Sequence, residues 1–189
     1  MRRVYLIRHG LTEGNRLRRY IGRTDEPLCA EGRAALSAAP LKGIETVYVS
    51  PLLRARETAA ILFPHARQIV VDGLREMDFG AFENRSADDM KNDAAYRAWV
   101  DGLCEGDCPG GENRRGFVAR TVRAFENICA AGGDAPLVIV AHGGTVMALM
   151  SELGEPKKDY WAWHVGAGGC LRCALDGGRL LYEGDGFDA

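Results

Sequence analysis

The sequence predicts a three-layer α/β fold, a largely parallel central sheet flanked by helices, on three observations. Short β-branched runs alternate with helical patterns along the 189 residues. Val4–Ile7, Val47–Val49, Ile69–Val71 and Leu137–Ala141 are apolar at consecutive positions, as strands covered on both faces require. The length also suits one domain, read as 1–189, against the ~100–200 residues usual for a domain.

Val4-Tyr5-Leu6-Ile7 opens the sheet. Glu31–Ala39 carries strong helix formers and reads as the first helix. After the Val47–Val49 strand, Pro51 at a first-turn position opens a helix through Leu62, which Pro64 stops. Ile69–Val71 reads as a third central strand. Residues 76–112 are richer in Gly, Asp and Asn, and read as an excursion over the sheet edge, a lid or insert above the site. Within it Ser86 caps a helix to about Val100, with Asp88 and Asp89 in its first turn. Phe117, Val118, Val122, Phe125, Ile128 and Cys129 form the 3–4 spaced stripe of the longest helix, ended by Gly132-Gly133. The Leu137–Ala141 strand and a helix over Gly144–Leu153 follow. Cys170–Leu175 and Arg179–Tyr182, joined by Asp176-Gly177-Gly178, close the chain as a hairpin.

Composition narrows the function classes. With 24 basic and 26 acidic side chains the formal charge is −2, so no global field draws nucleic acid or an anionic membrane. No apolar run approaches the ~18 residues of a membrane helix. The apolar stretch after Met1-Arg2-Arg3 ends after four residues, short of the ~7–15 of a signal core, so a cytoplasmic location is expected. Nothing in the composition fixes an oligomeric state. Six cysteines include a C-x-x-C at Cys170 and Cys173. That pair sits in an alternating stretch, where period 2 sends thiols three positions apart to opposite faces. The expectation is therefore reduced, mostly buried cysteines and no metal.

The chemistry gathers at three strand ends. The first strand runs into Arg8-His9-Gly10, the Leu137–Ala141 strand into His142-Gly143-Gly144, and the second strand into Ser50-Pro51-Leu52-Leu53-Arg54. In parallel sheets ligands bind at the carboxyl ends of strands. Two of the four histidines and two arginines thus converge with glycines and helix N-termini, an arrangement suited to an anion. No lysine belongs to this group. His65 and His164 are read as structural or surface residues, and Trp161 and Trp163 as packing. No G-x-S-x-G elbow, P-loop lysine motif or H-E-x-x-H pattern is present. Histidine is then the nucleophile that remains, one ring nitrogen aimed at phosphorus and the other tied to backbone. A carboxylate near the pocket would protonate the leaving group. Spacing does not choose it, although Glu76, just after the third strand, has the favoured position.

These residues carry a family resemblance. Arg8-His9-Gly10-Leu11-Thr12-Glu13-Gly14-Asn15 resembles the R-H-G-x-T-x-x-N opening of the histidine phosphatase superfamily, which includes phosphoglycerate mutases. Gly22–Leu28 with Gly32, Ser50–Ala59, Leu74–Gly80 and Val140–Gly144 are similar to four further family blocks, in order. The resemblance implies a phosphoglycerate mutase-like fold. It implies His9 as the phosphorylated nucleophile, Arg8, Arg54 and His142 as phosphate-pocket residues, and Glu76 as the acid–base. It places Asn15, Gly22 and Gly143 among the phosphate contacts and implies no metal or organic cofactor. The expected partner is a small phosphorylated metabolite. The stretch Glu76–Glu83 and the Pro109–Glu112 block resemble the α-ribazole phosphatase and broad-specificity branch, which makes α-ribazole 5′-phosphate a candidate substrate. A mutase activity and a catalytically silent phospho-ligand binder are the alternatives. Leu11, Cys29, Phe82, Asn84 and Asn113 depart from the family pattern, and Phe82 and Asn113 are expected to bear on substrate preference.

Overall fold

The computed structural model describes residues 1–187. Strands β1 (Arg2–Arg8), β2 (Thr46–Val49), β3 (Arg67–Val70), β4 (Leu137–Ala141), β5 (Gly154–Glu155), β6 (Cys170–Asp176) and β7 (Arg179–Asp185) form one sheet ordered β3-β2-β4-β1-β6-β7-β5. β3, β2, β4 and β1 are mutually parallel, and β6 pairs antiparallel with both β1 and β7. The helices are α1 (Glu13–Arg16), α2 (Ala30–Ala34), α3 (Leu53–Leu62), α4 (Ala94–Asp101), α5 (Arg114–Ala130) and α6 (Gly143–Leu153). Among the described residues no helix is long and apolar enough to cross a membrane.

The consecutive apolar runs do what two-sided burial asks of them. Val4 and Leu6 of β1, with Leu137 and Ile139 of β4, face Phe125, Ile128, Leu149 and Met150 of α5 and α6. Tyr5, Ile7, Val138 and Val140 point the other way, against Ala55, Ala59 and Leu62 of α3. That alternation makes the three layers. The same period separates the C-x-x-C thiols: Cys173 joins the first cluster and Cys170 the second, both unbridged. At the hairpin, Gly177 and Gly178 take φ of +51° and +80°, the left-handed pair that a tight right-twisted turn needs.

Four expectations change. β3 is an edge strand, not a central one: β2 is its sole neighbour and Val70 is 51% exposed. A three-residue apolar run does not distinguish the two positions, whereas polar Arg67 and Gln68 belong to an edge. The helix expected over Glu31–Ala39 stops at Ala34, and Ala35 caps it. The helix expected from Ser86 begins at Ala94, with the Asp93 side chain accepting from the Ala95 and Tyr96 N–H groups. Ser86 instead closes a local turn with Asp89. Helix α3 starts at Leu53, two residues inside Pro51.

The excursion after β3 has its own apolar cluster. Met77, Phe82, Met90, Tyr96, Trp99 and Cys108 pack on Phe117 of α5 and Ala148 of α6. It therefore leans on the α5–α6 layer beside the carboxyl ends of the strands.

Candidate active site

Because β2, β4 and β1 are adjacent and parallel, their carboxyl ends place Arg54, His142 and Arg8-His9 side by side. His9 is 4% exposed; its N–H donates to Ala141 O at 2.9 Å, tying it to the end of β4. Nδ1 lies 2.7 Å from the Gly10 carbonyl, which can only accept. The proton therefore sits on Nδ1 and the lone pair on Nε2. Arg54 Nε donates to that lone pair at 3.2 Å. Gly10 N–H is held in turn by Thr58 Oγ1, whose hydroxyl donates to Arg54 O.

Arg54 is fully buried, its guanidinium also donating to the carbonyls of Thr24, Ile21 and Gly22. His142, equally buried, has Nε2 2.7 Å from Ser50 Oγ, and its ring meets that of His9 at 5.2 Å between centroids. Leu52 N–H also donates to Ser50 Oγ, and with the Ser50 hydroxyl donating to Nε2 the His142 ring would carry its proton at Nδ1. His142 Nδ1 and Arg8 Nε are both buried without a hydrogen-bond partner. Such groups need an explanation, and polar nitrogens of Arg8, Arg54 and His142 gathered about His9 fit an anion.

Glu76 completes the ring at 9% exposure. Its carboxylate accepts from Met77 N–H and, at the start of α6, from Gly144 N–H, each at 2.9 Å. Glycine is required at 144: a Cβ there would fall 3.0 Å from Glu76 Cδ. Burial raises the Glu76 pKa above its ordinary value, against the two N–H bonds and both arginines. Burial, then the Arg54 charge, holds both His9 and His142 well below the ordinary imidazole value. The pocket thus keeps neutral imidazoles beside a carboxyl inclined to hold its proton, which suits nucleophilic attack with general-acid assistance.

A cavity of about 270 Å³ opens above these groups. Arg8, His9, Asn15, Glu76 and Gly143 line it, Arg54 and His142 are fully buried outside its lining, and none of its described lining residues is a lysine. Gly22 does not line it: its carbonyl faces Arg54 and its N–H donates to Glu83. Phe82 is buried in the excursion's cluster, and Asn113 caps α5 by accepting from Gly116 N–H, so neither reaches the cavity. Asn84, at φ +59°, holds a left-handed position that asparagine tolerates well.

Several residues escaped the sequence reading. Ser50 and Thr58 lie inside a quoted block but carry no signal for their hydrogen bonds to the histidine machinery. His164, read as a surface residue, is exposed yet bonds Arg8 Nη1 at 3.3 Å beside Val165 O. The tryptophan pair divides: Trp163 packs at 3% exposure, while Trp161, 52% exposed, stands on the cavity rim near Tyr160. Tyr20, Phe79 and Trp99 continue an aromatic wall from there, and Arg114 lies over the Tyr160 ring.

Comparison with known proteins agrees with this geometry. The family model described as histidine phosphatase superfamily (branch 1) matches residues 4–183. The "Probable phosphoglycerate mutase GpmB" of Serratia proteamaculans is 36% identical over 82% of this chain and 77% of its own length. A Hydrogenobacter thermophilus protein, provisionally named phosphoserine phosphatase 2, is 31% identical over 96% and 95%. Among solved structures, the α-ribazole phosphatase of Shigella flexneri superposes with a TM-score of 0.83 at 25% identity, covering 96% and 94%. The chain belongs to the histidine phosphatase superfamily, branch 1.

Proposed function

We propose that the chain is a phosphomonoester hydrolase that works through phosphohistidine at His9, without metal or organic cofactor. The observation that carries this reading is the state of His9: a neutral imidazole whose proton is fixed on Nδ1 by the Gly10 carbonyl, with its Nε2 lone pair among Arg8, Arg54 and His142. The phosphoryl oxygens are held by Arg8, Arg54, the His142 Nδ1–H, Asn15 and the Gly143 backbone. Arg54 Nε passes from His9 Nε2 to the substrate. Nε2 attacks phosphorus in line, the ester P–O bond breaks, and the electron pair leaves on the alcohol oxygen, which takes the Glu76 proton. The Glu76 carboxylate then removes a proton from water, whose oxygen attacks phosphorus. The P–N bond breaks, its pair returns to Nε2, and phosphate is released. Electrostatic and donor groups aimed at one phosphoryl group are what this reaction type rewards.

Hydrolysis is favoured over a mutase cycle by the mouth of the cavity, where Trp161 and His164 are exposed and water has access to phosphohistidine. We read residues 1–189 as one domain, with 76–112 supplying one wall of the site. The substrate class is a small phosphorylated metabolite. The aromatic wall and the likeness to an α-ribazole phosphatase support α-ribazole 5′-phosphate, whose leaving group is flat. Rapid acid quenching during turnover tests the mechanism, and an acid-labile, base-stable phosphoryl group that His9→Ala abolishes is the expected result. Turnover with no such intermediate would refute it. A screen of α-ribazole 5′-phosphate, phosphoserine and phosphoglycerates then ranks substrates by kcat/KM, and isomerised phosphoglycerate among the products would favour the mutase reading.

A further inference from the structure

Arg120 of α5 lies below the floor of the cavity, and all five of its N–H donors are committed. Nε donates to Glu112 Oε1 at 2.9 Å and Nη2 to Glu112 Oε2 at 2.7 Å, a forked pair. Nη1 donates to the carbonyls of Gly73 and Arg75 at 3.1 and 3.0 Å, and Nη2 also to the carbonyl of Glu76 at 3.3 Å. Glu112 reaches the other side of the same strap. Its Oε2 accepts from Asp78 N–H at 3.0 Å, and its own N–H donates to Asp78 O at 2.9 Å. The backbone is thereby gripped on both sides of Glu76. Gly73 permits the close approach, because a Cβ there would stand 2.6 Å from Ala124 Cβ of α5. Both side chains are about one quarter exposed, and neither lines the substrate cavity.

We propose that Arg120, fixed by Glu112 of the Pro-Gly-Gly-Glu block, is the positioning residue that sets where the Glu76 carboxyl stands relative to His9. The inference rests on the reading of Glu76 as acid–base. A guanidinium is needed because only a planar five-donor fork serves three carbonyls and a carboxylate together, and three-donor lysine does not. The Glu76 carboxyl has two further ties, to Met77 and Gly144. Those ties hold its tip, whereas Arg120 and Glu112 hold its root. Misplacing a catalytic group by about 1 Å costs on the order of 100-fold.

The test uses leaving groups that differ in their need for a proton. Single-turnover phosphorylation of His9 is measured with an alkyl phosphate and with p-nitrophenyl phosphate, whose phenolate departs unprotonated. Inhibition by inorganic phosphate reports the pocket. Arg120→Ala should slow phosphorylation by the alkyl ester about 100-fold, leave phosphorylation by the aryl ester within a few-fold, and keep phosphate inhibition unchanged. Arg120→Lys should show the same pattern. Glu112→Gln, a milder change, should show it in weaker form and carries the test if Arg120→Ala does not fold. Glu76→Gln runs alongside. Equal losses on both esters in the Arg120 and Glu112 variants, or wild-type rates in Arg120→Lys, would overturn the positioning role. If Glu76→Gln itself fails to discriminate the esters, the acid assignment falls, and this inference with it.

Discussion

Arg54, bonded to His9 beneath the cavity lining, and Trp161, on the cavity rim, stand under opposite conditions. Arg54 is 0% exposed, with Nε on His9 Nε2 and both Nη atoms on carbonyls of residues 21–24. Trp161 is 52% exposed and meets the Tyr160 ring, 5.1 Å away between centroids. The floor is built on strand ends and on hydrogen bonds with few alternatives. The mouth is built from side chains that pack against one another and against solvent. On the proposed function, chemistry sits where the fold allows little change, and selectivity where it allows much.

The largest effects should come from the floor. Arg54→Ala should lower kcat/KM on the order of 10²–10³-fold and also weaken inhibition by phosphate, because it removes both charge and the clamp on residues 21–24. Glu76→Gln should lower kcat about 10²–10⁴-fold with phosphate inhibition retained. Equal binding loss in the two variants would count against their separate roles. Gly144→Ala should follow, with kcat reduced about 10–100-fold as the new methyl displaces the Glu76 carboxylate. Wild-type turnover in that variant would mean that the carboxylate does not work from the observed position.

The pH dependence sharpens the contrast next. His9 and His142 are held below the ordinary imidazole value of 6.5, and Glu76 is raised above its ordinary 4.5. The acid limb of the kcat/KM profile should therefore lie below pH 6.5, where His9 takes a proton. The alkaline limb should reflect loss of the Glu76 proton and vanish in Glu76→Gln. Stability follows with its own sign. Below pH 6.5 the unfolded chain binds protons on these two imidazoles that the folded chain refuses, so the denaturation midpoint should fall as pH drops through that range. A midpoint that rises there would contradict buried neutral imidazoles. The smallest effect belongs to the mouth. Trp161→Ala should raise KM about two- to tenfold for flat leaving groups and leave small alkyl phosphates untouched, a difference that competition between the two substrates would reveal.

Legibility in the sequence divides along the same line. Arg8, His9 and His142 could be read because they stand at or directly after the ends of apolar strands, and Arg54 because it opens the helix after β2; parallel strands open their carboxyl ends to one side. Glu76 follows an edge strand and a turn, so position favoured it while the ordered blocks named it. The mouth gave no such signal. Trp161 and His164 follow the last helix without any period, and only the packing of Trp163 at 3% exposure separates one tryptophan from the other. Ser86 showed the limit of local rules: its hydroxyl does cap, but it caps a turn with Asp89, and the helix waits for Asp93. Asn113 and Phe82 were chosen as departures from a pattern, yet a cap and a packed ring accommodate both.

The two orphaned nitrogens, His142 Nδ1 and Arg8 Nε, bear on the end of the catalytic cycle. Both nitrogens suit a phosphoryl oxygen, and inorganic phosphate offers such oxygens as well as any ester does. On the proposed mechanism, adding phosphate should slow turnover while making the protein harder to melt, as melting curves with and without phosphate would show.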